Sequence, residues 1–152
     1  MNVLFALLTI TMTVADDAKD KAIKEDLAKL EGSWDVVAVE ARGMRTDMTK
    51  LKQVLTFKDG MITSKSSGRL QTLADMFTID PTKKPKVLDC SVKGQEGPVL
   101  YIYQIDGDEL KLAHPHPESL AQPKPEEFRR PESFETKDKP VRVMIAKRVK
   151  IN

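Results

Sequence analysis

The sequence predicts an all-β fold, an eight-stranded antiparallel barrel with one N-terminal helix. Three observations carry this. After Gly32, apolar residues recur with a period of two in run after run. The runs are short and punctuated by turn signals such as Asp59-Gly60 and Asp106-Gly107-Asp108. Before Gly32, the apolar period is helical.

The helix is expected over residues 16–31. Ile23, Leu27 and Leu30 fall at i, i+4 and i+7 and share one face, with Lys, Asp and Glu on the other. Gly32 stops it, because glycine tolerates a positive φ after a helix end. The first strand is residues 33–41, SWDVVAVEA. Residues 42–52 form a polar connection with a short helix at 49–52. The second and third strands, 53–58 and 61–65, flank Asp59-Gly60, a two-residue hairpin whose turn positions need positive φ. The fourth strand is 70–80, centred on Met76-Phe77-Thr78-Ile79. The others are 86–92, 99–105, 109–113 and 141–149. Eight strands in meander order suit a closed barrel, which removes exposed sheet edges. Its interior is filled by side chains or holds one small ligand.

The connection 114–140 is longer than loops usually are. It holds an echo, Pro125-Glu126-Glu127-Phe128 and Pro131-Glu132-Ser133-Phe134. Both phenylalanines are expected to tuck onto the barrel, making this an ordered lid or flank.

Composition sets the class. The chain has 152 residues, 32% charged and 40% apolar, which suits one folded domain rather than a disordered segment. Its 25 basic and 23 acidic residues leave a net charge of +2, so no global field draws it to nucleic acid. The six basic residues after position 136 lack interleaved aromatics and read as a solvated strand face and tail.

Residues 3–15, VLFALLTITMTVA, are apolar but shorter than the roughly 20 residues a spanning helix needs. They have the length of a signal-peptide core. We expect a signal peptide at 1–15, cut after Ala15 with Ala18 as the alternative, a helix at 16–31 and a barrel domain at 32–152. The mature protein would be exported, periplasmic or extracellular, with no remaining membrane span. Cys90 is the single cysteine, so no intrachain disulfide forms. It shares strand parity with Leu88 and Val92 and has no adjacent basic residue, so a buried inert thiol is expected.

Several segments, in order and spacing, resemble the lipocalin-like secreted domain expanded in planctomycete bacteria. They are Leu30-Glu31-Gly32-Ser33-Trp34, Leu55-Thr56-Phe57-Lys58 and the stretch from Ile79 to Lys86. Tyr103 to Leu112, Arg130-Pro131-Glu132-Ser133-Phe134 and Ala146-Lys147-Arg148 complete the set. The resemblance implies a barrel and export, and it brings no activity with it. Gly32-Ser33-Trp34 also resembles the Gly-x-Trp of lipocalins at large. That resemblance implies that Arg148 lies over Trp34 and joins the first strand to the last, a contact of about 0.5–2 kcal/mol. Gly32, Trp34 and Arg148 are thus expected as barrel-closure residues.

No catalytic motif is present: no Gly-x-Ser-x-Gly, no phosphate-binding glycine loop, no placeable Ser/His/Asp set. We therefore expect no enzyme and no cofactor. His114 and His116 are expected to diverge on an extended segment and to serve structural or solvent-exposed roles, so no metal site is expected, even with Glu118 and Glu126 nearby. Asp106 and Asp108 are expected to serve their hairpin turn. Tyr101 and Tyr103 share one strand face with Val99 and Ile105 and are the candidate ligand-binding residues if that face is inward. The expected function is non-enzymatic binding of a small apolar or amphipathic ligand. The alternative is a cell-envelope structural or protein-interaction module with a filled barrel, which the low aromatic content of 5% favours. No specific protein partner can be named from the sequence.

Overall fold

The structure is a computed structural model, and it describes residues 13–116 and 129–150. The helix α1 spans Thr13–Leu30, starting three residues before the expected position. Ten strands follow: β1 Gly32–Ala41, β2 Met44–Asp47, β3 Val54–Lys58, β4 Met61–Ser66, β5 Arg69–Ala74, β6 Met76–Asp80, β7 Lys86–Ser91, β8 Val99–Asp106, β9 Glu109–Pro115 and β10 Val141–Arg148. A 3-10 turn at Thr49–Leu51 lies close to the expected short helix. Most of the signal-peptide expectation falls outside the described residues.

All pairings are antiparallel, in the order β5-β4-β3-β1-β10-β9-β8-β7-β6, and the sheet curls into a nearly closed barrel. Ten strands replace the expected eight for two local reasons. The fourth expected strand is cut at Asp75 into β5, which pairs with β4, and β6, which pairs with β7. There the ring is continued by the chain itself rather than by a ladder. The amide of Phe77 donates to the Gly60 carbonyl at 3.0 Å and that of Asp75 to the Ser91 carbonyl at 2.9 Å, bracing the seam. The register slips where Ile62 pairs Ala74 but Thr63 pairs Thr72, so Leu73 is an extra residue that bends the strand. The other addition is β2, which folds back on Val39, Glu40 and Ala41 through Arg42-Gly43, with φ of 53° and 72°. Its residues, Met-Arg-Thr-Asp, are all exposed, so no apolar alternation marked it as a strand.

Asp59 and Gly60, at φ 51° and 75°, form the expected hairpin turn. Ser67-Gly68, at 49° and 81°, forms another between β4 and β5 that was not singled out.

The interior cluster includes Leu30, Trp34, Val36, Leu55, Phe57, Leu88, Tyr103, Leu110 and Ala146. A second cluster, with Ile102, Ala113, Val143 and Ile145, has the opposite strand parity and lies on the outer wall; Ala38 joins it because the bulge after Val36 turns β1 over. Residues 129–140 cover it. Phe134 packs against that cluster, as expected, while Phe128 lies outside the described residues. Arg130 ties one end of this strap to the barrel, donating to the Tyr101 carbonyl at 2.7 Å and pairing with Asp89 at 2.6 Å. At the other end, the Thr136 hydroxyl oxygen accepts from the Gly43 amide at 3.1 Å.

Candidate functional site

The end of the barrel under α1 holds most of the predicted site residues. The last carbonyls of any helix lack intrahelical partners. Here Trp34 and Arg148 supply them. The Trp34 indole N–H donates to Leu30 O at 2.9 Å. Arg148 donates through one terminal nitrogen to Glu31 O at 3.2 Å and through the other to Lys29 O. Its charge also suits the negative end of the helix dipole.

Trp34 and Arg148 are register partners in β1 and β10, and the guanidinium carbon lies 4.1 Å from the indole ring centre. The contact thus sits on the ladder joining the first strand to the last. The seam of the barrel lies elsewhere, at β5 and β6. Gly32 has φ of 116°, which side-chain-bearing residues rarely adopt, so glycine is what turns the helix into β1 here.

The second anchor was not foreseen. Asp26 was expected on the solvent face of the helix, yet it is 3% exposed, while Leu27 is 37% exposed. The helix rolls so that Ile23, Asp26 and Leu30, at i, i+3 and i+7, face the barrel. The Asp26 carboxylate accepts from Lys86 at 2.6 Å, Tyr103 at 2.8 Å and Lys29 at 3.4 Å. Burial pushes its carboxyl pKa up, but the hydrogen bonds from Lys86 and Tyr103 and the lysine charge outweigh this and hold it below the ordinary 3.8. Tyr103 is held neutral by burial and by the adjacent Asp26 carboxylate. The signal for this cluster was present: Asp26 lies three residues after Ile23 and four before Leu30. Lys19 and Asp80, 3.0 Å apart, pin the helix further along.

Tyr103 belongs to the interior cluster, and the partly buried Tyr101 packs against it. The Tyr103 hydroxyl is engaged by Asp26. Tyr101 lines the central void together with Leu55, Ile62, Leu73, Leu88, Cys90, Leu112 and Met144. That void measures only about 10 Å³. A small-molecule site occupies several hundred Å³, and even one water needs roughly 10–15 Å³ with polar partners. Cys90 is buried, and burial, with help from the Asp89 charge, pushes its thiol up to about 12. It is therefore an inert core thiol.

The far end is chemically different. His114 stacks obliquely on Tyr101 at 5.3 Å between ring centres, and its Nδ1 lies 2.8 Å from the Pro115 carbonyl oxygen. Burial, then the nearby Arg142 and His116, lower its pKa to about 4, against the Pro115 bond. His116 Nε2 lies 3.4 Å from Arg142. The two histidines do not diverge, because residues i and i+2 share a face of an extended chain. Among the described residues no group of three potential metal ligands occurs; Glu118 and Glu126 lie outside them. Asp106 and Asp108 flank the β8–β9 turn, and the Asp108 carboxylate faces Arg148 and Lys150 at 3.8 and 3.1 Å.

Larger recesses lie outside the barrel. An open groove of about 560 Å³ runs between the turn bearing Lys83, Lys84 and Pro85 and the strap residues Arg130, Pro131 and Glu132. No helix among the described residues is long and apolar enough to cross a membrane. Comparison of the chain with family models, curated proteins and solved structures finds no match.

Proposed function

We propose that this protein is a non-enzymatic structural or protein-interaction module of the cell envelope, working through its outer surface. The observation that carries this reading is that, among the described residues, the void between the core side chains of the barrel measures only about 10 Å³. A ligand chamber would require repacking Leu55, Leu88, Tyr101 and Leu112, and native cores resist such changes at a cost of several kcal/mol. The reading reverses the order of the two functional expectations, with small-ligand binding now second. Export and kinship to the lipocalin-like secreted domain remain part of the proposal. They rest on the apolar run at residues 3–15 and on the segments quoted above. Fold alone assigns no function.

Titration with a fluorescent apolar probe tests this. Weak, unsaturable binding is the expected result. Saturable one-to-one binding that protects the protein against heat would overturn the filled-barrel reading and restore the ligand-binding one. N-terminal sequencing of exported protein tests the leader: a first residue of Asp16 or Lys19 supports cleavage, and an intact Met1 on cytoplasmic protein contradicts it.

A further inference from the structure

A sheet that stops short of closure leaves edges, and soluble proteins usually guard them with charge, proline or cover. Three strands pair on one side only, β2, β5 and β6. The β6 edge is braced by the bond from the Phe77 amide to the Gly60 carbonyl, and the other two are treated differently. On β2, Arg45 and Asp47 put two charges on a four-residue strand, and Arg45 pairs with Glu40 at 2.9 Å. On β5, the four residues Arg69, Leu70, Gln71 and Thr72 are all exposed, only one is charged, and Leu70 is 72% exposed. The strand pairs with β4 alone.

The hairpin turn fixes which backbone groups are free. Ser66 and Arg69 flank the two-residue Ser67-Gly68 turn as a register pair. In such a hairpin the flanking pair exchanges hydrogen bonds, so Arg69 and Gln71 bond inward to β4. Leu70 and Thr72 therefore point their N–H and C=O groups at the open edge. Leu73, the bulged residue, ends the regular stretch.

We propose that this edge pairs with the same edge of a second copy of the chain, antiparallel about a two-fold axis at Gln71. Leu70 of each copy then exchanges both backbone bonds with Thr72 of the other, and the two Gln71 residues face each other as a non-hydrogen-bonded pair. Charge favours this direction. The strand is basic at its first residue, Arg69, and acidic one residue past its end, at Asp75, an exposed residue whose carboxylate also accepts from the Lys93 amide at 2.6 Å. Antiparallel alignment lays each basic end beside the partner's acidic end and keeps the two arginines apart. The contact is short, so the dimer is weak and reversible. The inference rests on the proposed function only in taking the outer surface as the working surface.

Two measurements on the full chain test it. Sedimentation across micromolar to millimolar concentration should show a monomer–dimer equilibrium. Leu70→Lys should weaken it by roughly tenfold or more, because it places cations across the axis; Arg45→Glu on β2 should leave it unchanged. Gln71→Cys should give a covalent dimer under mild oxidation, since non-hydrogen-bonded pairs stand about 4.5 Å apart, within disulfide reach. Thr46→Cys should not. Melting curves check that each variant folds. A chain that stays monomeric throughout, or a Gln71→Cys variant that cross-links no faster than Thr46→Cys, overturns the proposal. Neither result bears on apolar-probe binding, so the two proposals fail separately.

Discussion

The two ends of the barrel solve the same problem with opposite chemistry. Under the helix, a buried acid, Asp26, gathers Lys86, Tyr103 and Lys29, while Arg148 and Trp34 occupy the helix's last carbonyls. Buried charge there is matched by opposite charge or by dipole. At the far end, His114, His116 and Arg142 crowd together, and among the described residues no carboxylate bonds to them. Arg142 Nε is buried without a partner. That end tolerates its cations by keeping His114 neutral. One end is therefore stabilised by ionisation and the other by its absence, and the two should respond to different perturbations and different pH ranges.

The largest expected effect is at the helix end. Trp34→Ala removes a fully buried ring, the Arg148 stack and the bond to Leu30. It should cost about 3–5 kcal/mol in chemical denaturation. If it melts like the parent, the junction is not what holds helix and barrel together.

Asp26→Asn comes next, at about 2–3 kcal/mol, because bonds to a charged acceptor are lost while Lys86 is left half-buried. The same variant should also shrink the acid limb, to which Asp47, Asp80 and Glu109 contribute as well. The Asp26 pKa is lowered on folding, so its stabilisation is complete above 3.8 and fades as pH falls below that value.

The far end should titrate higher. Burial and its cationic neighbours lower the His114 pKa from 6.5 to about 4. Between those values the unfolded chain binds the extra proton, so stability falls as pH drops through this window. About 2 kcal/mol is expected, allowing for partial exposure of the ring. His114→Gln should remove most of that limb, leaving the smaller share from His116, whose pKa is also lowered, and should leave the lower limb intact. A single acid transition, insensitive to both variants, would erase the contrast between the ends.

Arg148→Lys should be mildest, at about 1 kcal/mol. Lysine keeps the charge but loses the flat stack and the fork that reaches two carbonyls.

Much of the barrel was legible because its strands are half-buried and alternate. At the Gly32-Ser33-Trp34 junction, Gly32 was legible as a helix stop, whereas the Trp34–Arg148 contact was expected only from the resemblance to the lipocalin pattern. What escaped shares one physical cause. β2 buries nothing, so its backbone pairing left no hydrophobic trace. The break at Asp75 lies inside a run that reads as one strand, because both halves are extended and only their partners differ. Asp26 hid because a buried carboxylate looks like a solvent-facing one until its partners, 60 and 77 residues away, are known. Whether Tyr101 and Tyr103 lined a chamber or a packed core depended on volume, which strand parity does not encode.

Native mass spectrometry of the protein purified from its own cells tests the central claim, a barrel filled by its own side chains. The expected result is the mass of the polypeptide alone, or of its dimer, with nothing else bound. A stoichiometric small molecule retained inside the folded chain would contradict it.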